Sequence, residues 1–174
     1  ISHIIRGDDH ISNTPKQVLL CEALGFNLPQ FAHIPLILSK EGGRMSKRHG
    51  ATSIFEYKNM GFLPDALVNF LSLMGWAPGE DREILPLEEI IKLFDIKDVS
   101  KTGAIFDMDK LTWLNGQYMA SKTAKELFPV IKSEMEKAGR EISVPEAKFL
   151  QIIDIHKMRI KTLAEFIPLT DYFF

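Results

Sequence analysis

Strand and helix signals alternate over the first fifty residues of this chain, and only helical signals follow; this change of class restricts the fold more than any other feature. Ser2 to Ile5 is a short apolar run ending in the polar cluster Arg6, Gly7, Asp8, Asp9 and His10, the pattern of a buried strand that delivers a loop at its C-terminal end. A helix is expected next. Asn13 or Thr14 can cap it, Pro15 suits its first position, Val18, Leu19, Ala23 and Leu24 supply an inner face, and Gly25 stops it. A second strand is expected from His33 to Leu38. The loop after it, Ser39 to Gly50, holds three glycines and several cations and should be solvated and mobile.

Beyond Ala51 the apolar period is helical. Pro64 opens a segment through Ala66, Leu67, Phe70, Leu71 and Met74 that Gly75 closes, and Leu87 to Phe94 reads as a short helix with Glu88 and Glu89 in its first turn. Asp107 can cap a helix through Leu111, Trp113 and Leu114, whose end Gly116 loosens. Further helices are expected over Lys122 to Lys137, broken or kinked at Pro129, then from Pro145 through Ile155, and from about Ile160. The predicted fold is mostly α with a small α/β part, the two joining near Gly116 to Ser121.

The 174 residues are 45% hydrophobic, enough to bury a core as one ordinary domain or two small ones. Apolar runs such as Ile34 to Leu38 are far shorter than the roughly 20 residues that cross a bilayer, and no signal peptide is seen. One cysteine, Cys21, cannot form an internal disulfide, and no Cys/His zinc spacing occurs, so a cytoplasmic protein without a structural metal is expected. A net charge of −2 argues against a wholly basic nucleic-acid coat and leaves any RNA contact to local patches. The start at Ile1, already strand-like, and the apolar stretch Leu163 to Phe174 lead us to expect a larger parent structure.

The stretch Lys40-Glu41-Gly42-Gly43-Arg44-Met45-Ser46-Lys47-Arg48-His49-Gly50 is phosphate-seeking by composition. Glycines let backbone N–H groups approach an anion, and cations three residues apart can bracket a polyphosphate whose charge shifts during reaction. The plainer reading is a solvated hairpin tip. Arg6 can hold a carboxylate through two parallel hydrogen bonds, or can pair with Asp8 or Asp9. His10 reads equally as a ligand contact or a helix cap, and His49 carries less weight. Trp76 and Trp113 could stack on RNA bases, but their apolar neighbours at helical spacing favour core packing.

Arg44-Met45-Ser46-Lys47-Arg48 resembles the KMSKS signature of class I aminoacyl-tRNA synthetases, with arginine in place of the first lysine and of the final serine. Met45 to Ala51 looks like the bacterial and organellar form of the glutamyl-tRNA synthetases. Ile5 to Pro15, Gly61 to Leu67 with Leu73 to Trp76, and Phe106 to Leu111 with Trp113 to Gly116 resemble the same family in order. The likeness is strong to about residue 120 and beyond that lies only in helical character.

The resemblance implies a ligase that activates L-glutamate with ATP, accompanied by Mg2+, and transfers it to the 3′ end of tRNA for glutamate. Lys47 would hold the β- and γ-phosphates and stabilise departing pyrophosphate, with Arg44 assisting. Ser46, His10 and the backbone of Leu36 and Ile37 would contact ATP. Arg6 would bind glutamate, and Asp8 or Asp9 would orient ATP or the tRNA end. By the same likeness residues 1–50 would be the C-terminal part of a Rossmann-like catalytic domain, 51–120 a helical stem-contact region, and 121–174 the start of an α-helical anticodon-binding domain. The family also needs a His-x-Gly-His type string, which this sequence lacks, so the isolated chain is expected inactive and its parent monomeric, in the cytoplasm or an organelle. The competing readings are a glutaminyl-tRNA synthetase, whose anticodon module is β-rich, and a non-catalytic tRNA-binding regulatory descendant.

Overall fold

The computed structural model of the protein describes residues 1–45 and 53–174. Strand β1, His3–Gly7, pairs in parallel with β2, Gln30–Ile34, in the register His3 to Gln30 through Gly7 to Ile34. Helix α1, Thr14–Ala23, connects them after a 3-10 turn over Asp8–Asn13. This βαβ unit is the small α/β part. Helices α2 (Ile54–Asn59), α3 (Pro64–Ser72), α4 (Leu87–Leu93), α5 (Met108–Ser121), α6 (Ala124–Lys137), α7 (Glu146–His156) and α8 (Phe166–Thr170) make up most of the rest.

The helix starts follow their local chemistry. Asp107 accepts from the N–H groups of Asp109 and Lys110, Pro64 sits in the first turn of α3, and Thr123 forms a reciprocal capping box with Glu126. Those bonds to Thr123 hold the Glu126 carboxyl below its usual range. The core runs from α2 to α8: Leu111, Leu114 and Met119 of α5 meet Leu127, Ile131 and Met135 of α6, Phe149 and Ile153 of α7 and Phe166. A smaller cluster joins Trp76, Leu85 and Ile90.

Several expectations are corrected. The second strand is Gln30–Ile34 rather than His33 to Leu38, because Pro35 has no N–H for a continuing ladder; Leu38 instead bridges Arg44 and Ile105. Helix α1 buries none of its residues: Val18 is half-buried, and Leu19 and Leu24 are exposed, since among the described residues no further layer covers that side of the helix. Asn13 makes no side-chain cap there. Helix α5 does not loosen at Gly116; its buried side runs on through Tyr118 and Met119, which outweighs the ~1 kcal/mol a mid-helix glycine costs. Helix α6 passes unbroken through Pro129, with Leu127, Ile131 and Met135 buried on both sides of it. The final segment begins at Leu163, as a 3-10 turn that leads into α8. Trp76 is buried as expected, but Trp113 is 40% exposed on the outer side of α5.

Candidate active site

Strand β1 ends at Gly7, and the chain turns at once so that Asp9 folds back over the strand end. A Cβ on Gly7 would stand 2.6 Å from the Asp9 carboxylate, which would have to swing aside to admit it. Across a cavity of about 410 Å³ lies the first part of the glycine-rich loop; the lining includes Gly7, Leu36, Ile37, Arg44 and Met45. Tyr57 and Phe106 close its floor and also border a second recess, of about 120 Å³, beside Lys40 and Ser39. Burial raises the Tyr57 phenol above its usual range, with the charge of Glu56 adding to the effect.

The loop's root is a built turn. Leu38 and Arg44 bridge in antiparallel fashion, Ser39 N–H donates to Gly43 at 3.0 Å, Ser39 Oγ donates to the Gly42 carbonyl at 3.0 Å, and Met45 N–H donates to Ile37 at 3.0 Å. Gly42 and Gly43 both take left-handed backbone, which a side chain would strain. Ser39 at the loop's start is buried, while Lys40 to Arg44 are exposed, as expected of a solvated segment. Ser46, Lys47, Arg48 and His49 lie outside the described residues.

Arg6 does not pair with Asp8 or Asp9. Its Nη2 donates to Thr14 Oγ1 at 2.8 Å, its Cζ stands 5.5 Å from the centre of the Phe31 ring, and its buried Nε has no partner among the described residues. The parallel register sets Arg6 opposite His33, whose Nε2 lies 2.9 Å from the same Thr14 hydroxyl. That hydroxyl also donates to the His10 carbonyl at 3.3 Å, and the His33 tautomer sets which way its own bond to Thr14 runs. Asp9 pairs with Arg44 at 3.1 Å. His10 Nδ1 lies 3.3 Å from Asn13 Nδ2, on the exposed rim, and Asp8 is also exposed. Leu36 and Ile37 border the cavity, with the Ile37 carbonyl already taken by Met45.

Leu36, Ile37 and Arg44 thus line one crevice at the strand ends, Asp9 is joined to it through Arg44, and Arg6 is not among its lining residues. Thr14 was missed as the partner of Arg6, and the His33 side chain as that of Thr14. Thr14 reads as a helix cap and His33 as strand, and only the strand register joins them. Lys40, counted among the phosphate-seeking cations, is held instead by Asp107 and Asp109 at 2.9 and 2.7 Å.

A nucleotide-type βαβ unit whose strand ends face a glycine-rich cationic loop, on a helical body, defines the class. The chain belongs to the family described as tRNA synthetases class I (E and Q), catalytic domain, whose model matches residues 1–113. It is 43% identical to glutamate–tRNA ligase 2 of Caldicellulosiruptor saccharolyticus and 46% identical to glutamate–tRNA ligase of Desulforamulus reducens, each over 100% of this chain. It also resembles the crystal structure of a glutamate tRNA ligase from Elizabethkingia meningosepticum in complex with its amino acid, with a TM-score of 0.85, 33% identity and 100% of this chain covered. The chain spans only 36%, 37% and 38% of the lengths of these three proteins.

Proposed function

We propose that this chain is the part of a glutamate–tRNA ligase that holds the second half of the adenylation site and the helices that meet tRNA. The full protein would join L-glutamate to ATP, carried as its magnesium complex, release pyrophosphate, and pass the glutamyl group to tRNA for glutamate in the cytoplasm. One observation carries this reading: the turn that leads into the KMSKS-like segment brings Arg44 to a crevice at the end of β1 that Gly7, Leu36 and Ile37 also line, and Arg6, half-buried in that strand next to Gly7, is unpaired with any carboxylate among the described residues. Such crevices at the C-terminal strand ends of α/β units are where ligands bind.

In this reading Arg6 receives a carboxylate of glutamate, Thr14 and His33 fix its plane, and Leu36 and Ile37 border the adenine. Arg44 leaves Asp9 for the triphosphate, while Asp8, Asp9, His10 and Ser46 stand near ATP or the tRNA end. Lys47 stabilises the charge that builds up on departing pyrophosphate, where an ammonium contributes most. Residues 1–50 form the catalytic part, 51–120 the stem-contact part and 121–174 the start of an anticodon-binding domain. The helical character of α6 to α8 supports the glutamyl over the glutaminyl alternative.

The test is ATP–pyrophosphate exchange by a full-length protein carrying this segment, with glutamate or glutamine and tRNA present. Exchange with glutamate is expected, and Lys47→Ala should lower its rate by one to two decades, about 1.4–2.8 kcal/mol of transition-state stabilisation. Exchange with glutamine alone, or none with either, overturns the reading.

A further inference from the structure

Lys40 opens the cationic loop, yet its ammonium faces away from the crevice cations and sits on the start of α5. Asp107 Oδ1, 2.9 Å from Lys40 Nζ, is the same oxygen that accepts from the N–H groups of Asp109 and Lys110. Asp109, in the first turn of α5, supplies the second contact at 2.7 Å. The backbone beside Lys40 is fastened to the same segment: Leu38 N–H donates to the Ala104 carbonyl at 2.9 Å, and Phe106 N–H donates to the Leu38 carbonyl at 2.8 Å. Gly103 permits this approach, since a Cβ there would stand 2.8 Å from the Leu36 carbonyl.

Helix α5 is in turn fixed in the core. Asn115, wholly buried, accepts from Leu63 N–H at 2.8 Å and donates to the Lys161 carbonyl. The root of the loop is therefore tied, through one lysine and two backbone bonds, to the helix around which the rest of the chain packs. An ammonium already held by two carboxylates is poorly placed to neutralise a triphosphate.

We propose that Lys40 is a positioning residue for the ATP-dependent step: its ion pairs with Asp107 and Asp109 fix the turn that carries Arg44, so that this cation meets the triphosphate at the right height above the crevice. The inference rests on the ligase reading of the preceding section. It differs from direct phosphate binding by Lys40 in one respect, namely that the carboxylates of α5 then matter as much as the lysine.

The experiment uses a full-length protein carrying this segment, in ATP–pyrophosphate exchange with glutamate and tRNA for glutamate present. The variants are Lys40→Met, Lys40→Arg, the double substitution Asp107→Asn with Asp109→Asn, and the triple combination with Lys40→Met. Asparagine is as good a helix cap as aspartate, so the start of α5 survives the change. Lys40→Met and the double carboxamide variant should each lower the exchange rate about ten- to a hundredfold, the scale set by a small misplacement of reacting groups. The KM for glutamate should stay unchanged, and the triple variant should be no worse than either parent, because all three remove one interaction. Lys40→Arg should restore most of the rate.

A defect in Lys40→Met that the double carboxamide variant does not share would make Lys40 a direct phosphate ligand and overturn the proposal. Normal exchange in Lys40→Met, or a loss that merely follows the folded fraction in a thermal melt, overturns it too. Absence of exchange in the unmutated protein overturns the ligase reading, and this inference with it.

Discussion

The guanidinium of Arg44 lies 3.1 Å from the carboxylate of Asp9, so a cation of the glycine-rich turn is held by the loop that leaves β1. Both side chains are partly exposed, and such a pair contributes ~0–1 kcal/mol to stability. A triphosphate carries enough charge to displace a single carboxylate, so under the proposed function the pair would break as ATP binds. Arg44→Ala should therefore raise the KM for ATP in a full-length protein carrying this segment, whereas Asp9→Asn should leave it unchanged or lower it, with both melting temperatures nearly constant. Steady-state kinetics in ATP and a melt of each variant check this; the same sign of change in both would refute the exchange of partners.

Arg6→Lys should damage the use of glutamate although the charge is kept. Lysine offers a point charge in place of a planar fork, and one charge-assisted hydrogen bond is worth ~1.5–3 kcal/mol. Thr14 takes one of the two Nη2 protons, which leaves the other, beside Nη1, for a carboxylate. The effect should fall on the kinetics of glutamate and spare those of ATP. Aminoacylation measured separately against each substrate distinguishes this from a role in stability alone.

Gly61 and Gly79 share a left-handed backbone, each with φ of 84°, but differ in their surroundings. A Cβ on Gly61 would stand 2.7 Å from the backbone nitrogen of Ala164 and 2.8 Å from that of Leu163, while one on Gly79 would meet open space. Gly79→Ala should then cost ~1–2 kcal/mol from conformation alone. Gly61→Ala should cost more, because Leu163 N–H also donates to the Gly61 carbonyl at 2.9 Å and the contact cannot simply relax. Urea unfolding of both variants gives the comparison, and equal losses would count against it.

The hold on Lys40 should not vary across the physiological pH range. The hydrogen bonds that Lys40 donates to Asp109 and then to Asp107 raise the Lys40 pKa, and those that Asp107 accepts from Lys40 and the start of α5 lower its own. A raised lysine keeps its contribution below the ordinary value of ~10.4 and loses it only as pH climbs through the higher folded value. A depressed aspartate keeps its contribution above ~3.9 and loses it as pH falls through the lower folded value. Between about pH 5 and 9 the stability difference between the unmutated protein and Lys40→Met should be flat, as melts at several pH values would show; a slope near neutrality would mean that another group titrates with the pair.

Much of this protein is legible in its sequence wherever a rule is local. Asp107 caps α5 because a carboxylate there meets two free N–H groups, Pro64 opens α3 because its fixed φ suits a first turn, and the glycines after Leu38 bend the loop because only they take left-handed backbone freely. Leu36, Ile37 and Arg44, which line the crevice, were singled out by the motif resemblance. What the sequence left open depended on partners far away in it. Helical periodicity marks Leu19 and Leu24 as apolar but cannot say whether a layer faces them, and Pro129 and Gly116 are tolerated inside helices only because the neighbouring turns are buried.

The nature of the chain, a strand-helix start on a helical body with a cation-rich turn between them, was determined by the sequence itself, since it follows from hydrophobic period, turn chemistry and motif order. Tertiary structure alone decided the pairings. Arg6 and His33 meet at Thr14 through the parallel register, Arg44 meets Asp9 across the strand ends, and Lys40 meets Asp107 sixty-seven residues away because Leu38 lies beside Ile105. A charge states only that it needs a partner of the opposite sign, or water. Which of several carboxylates it finds is fixed by the packing that brings one of them within hydrogen-bond reach.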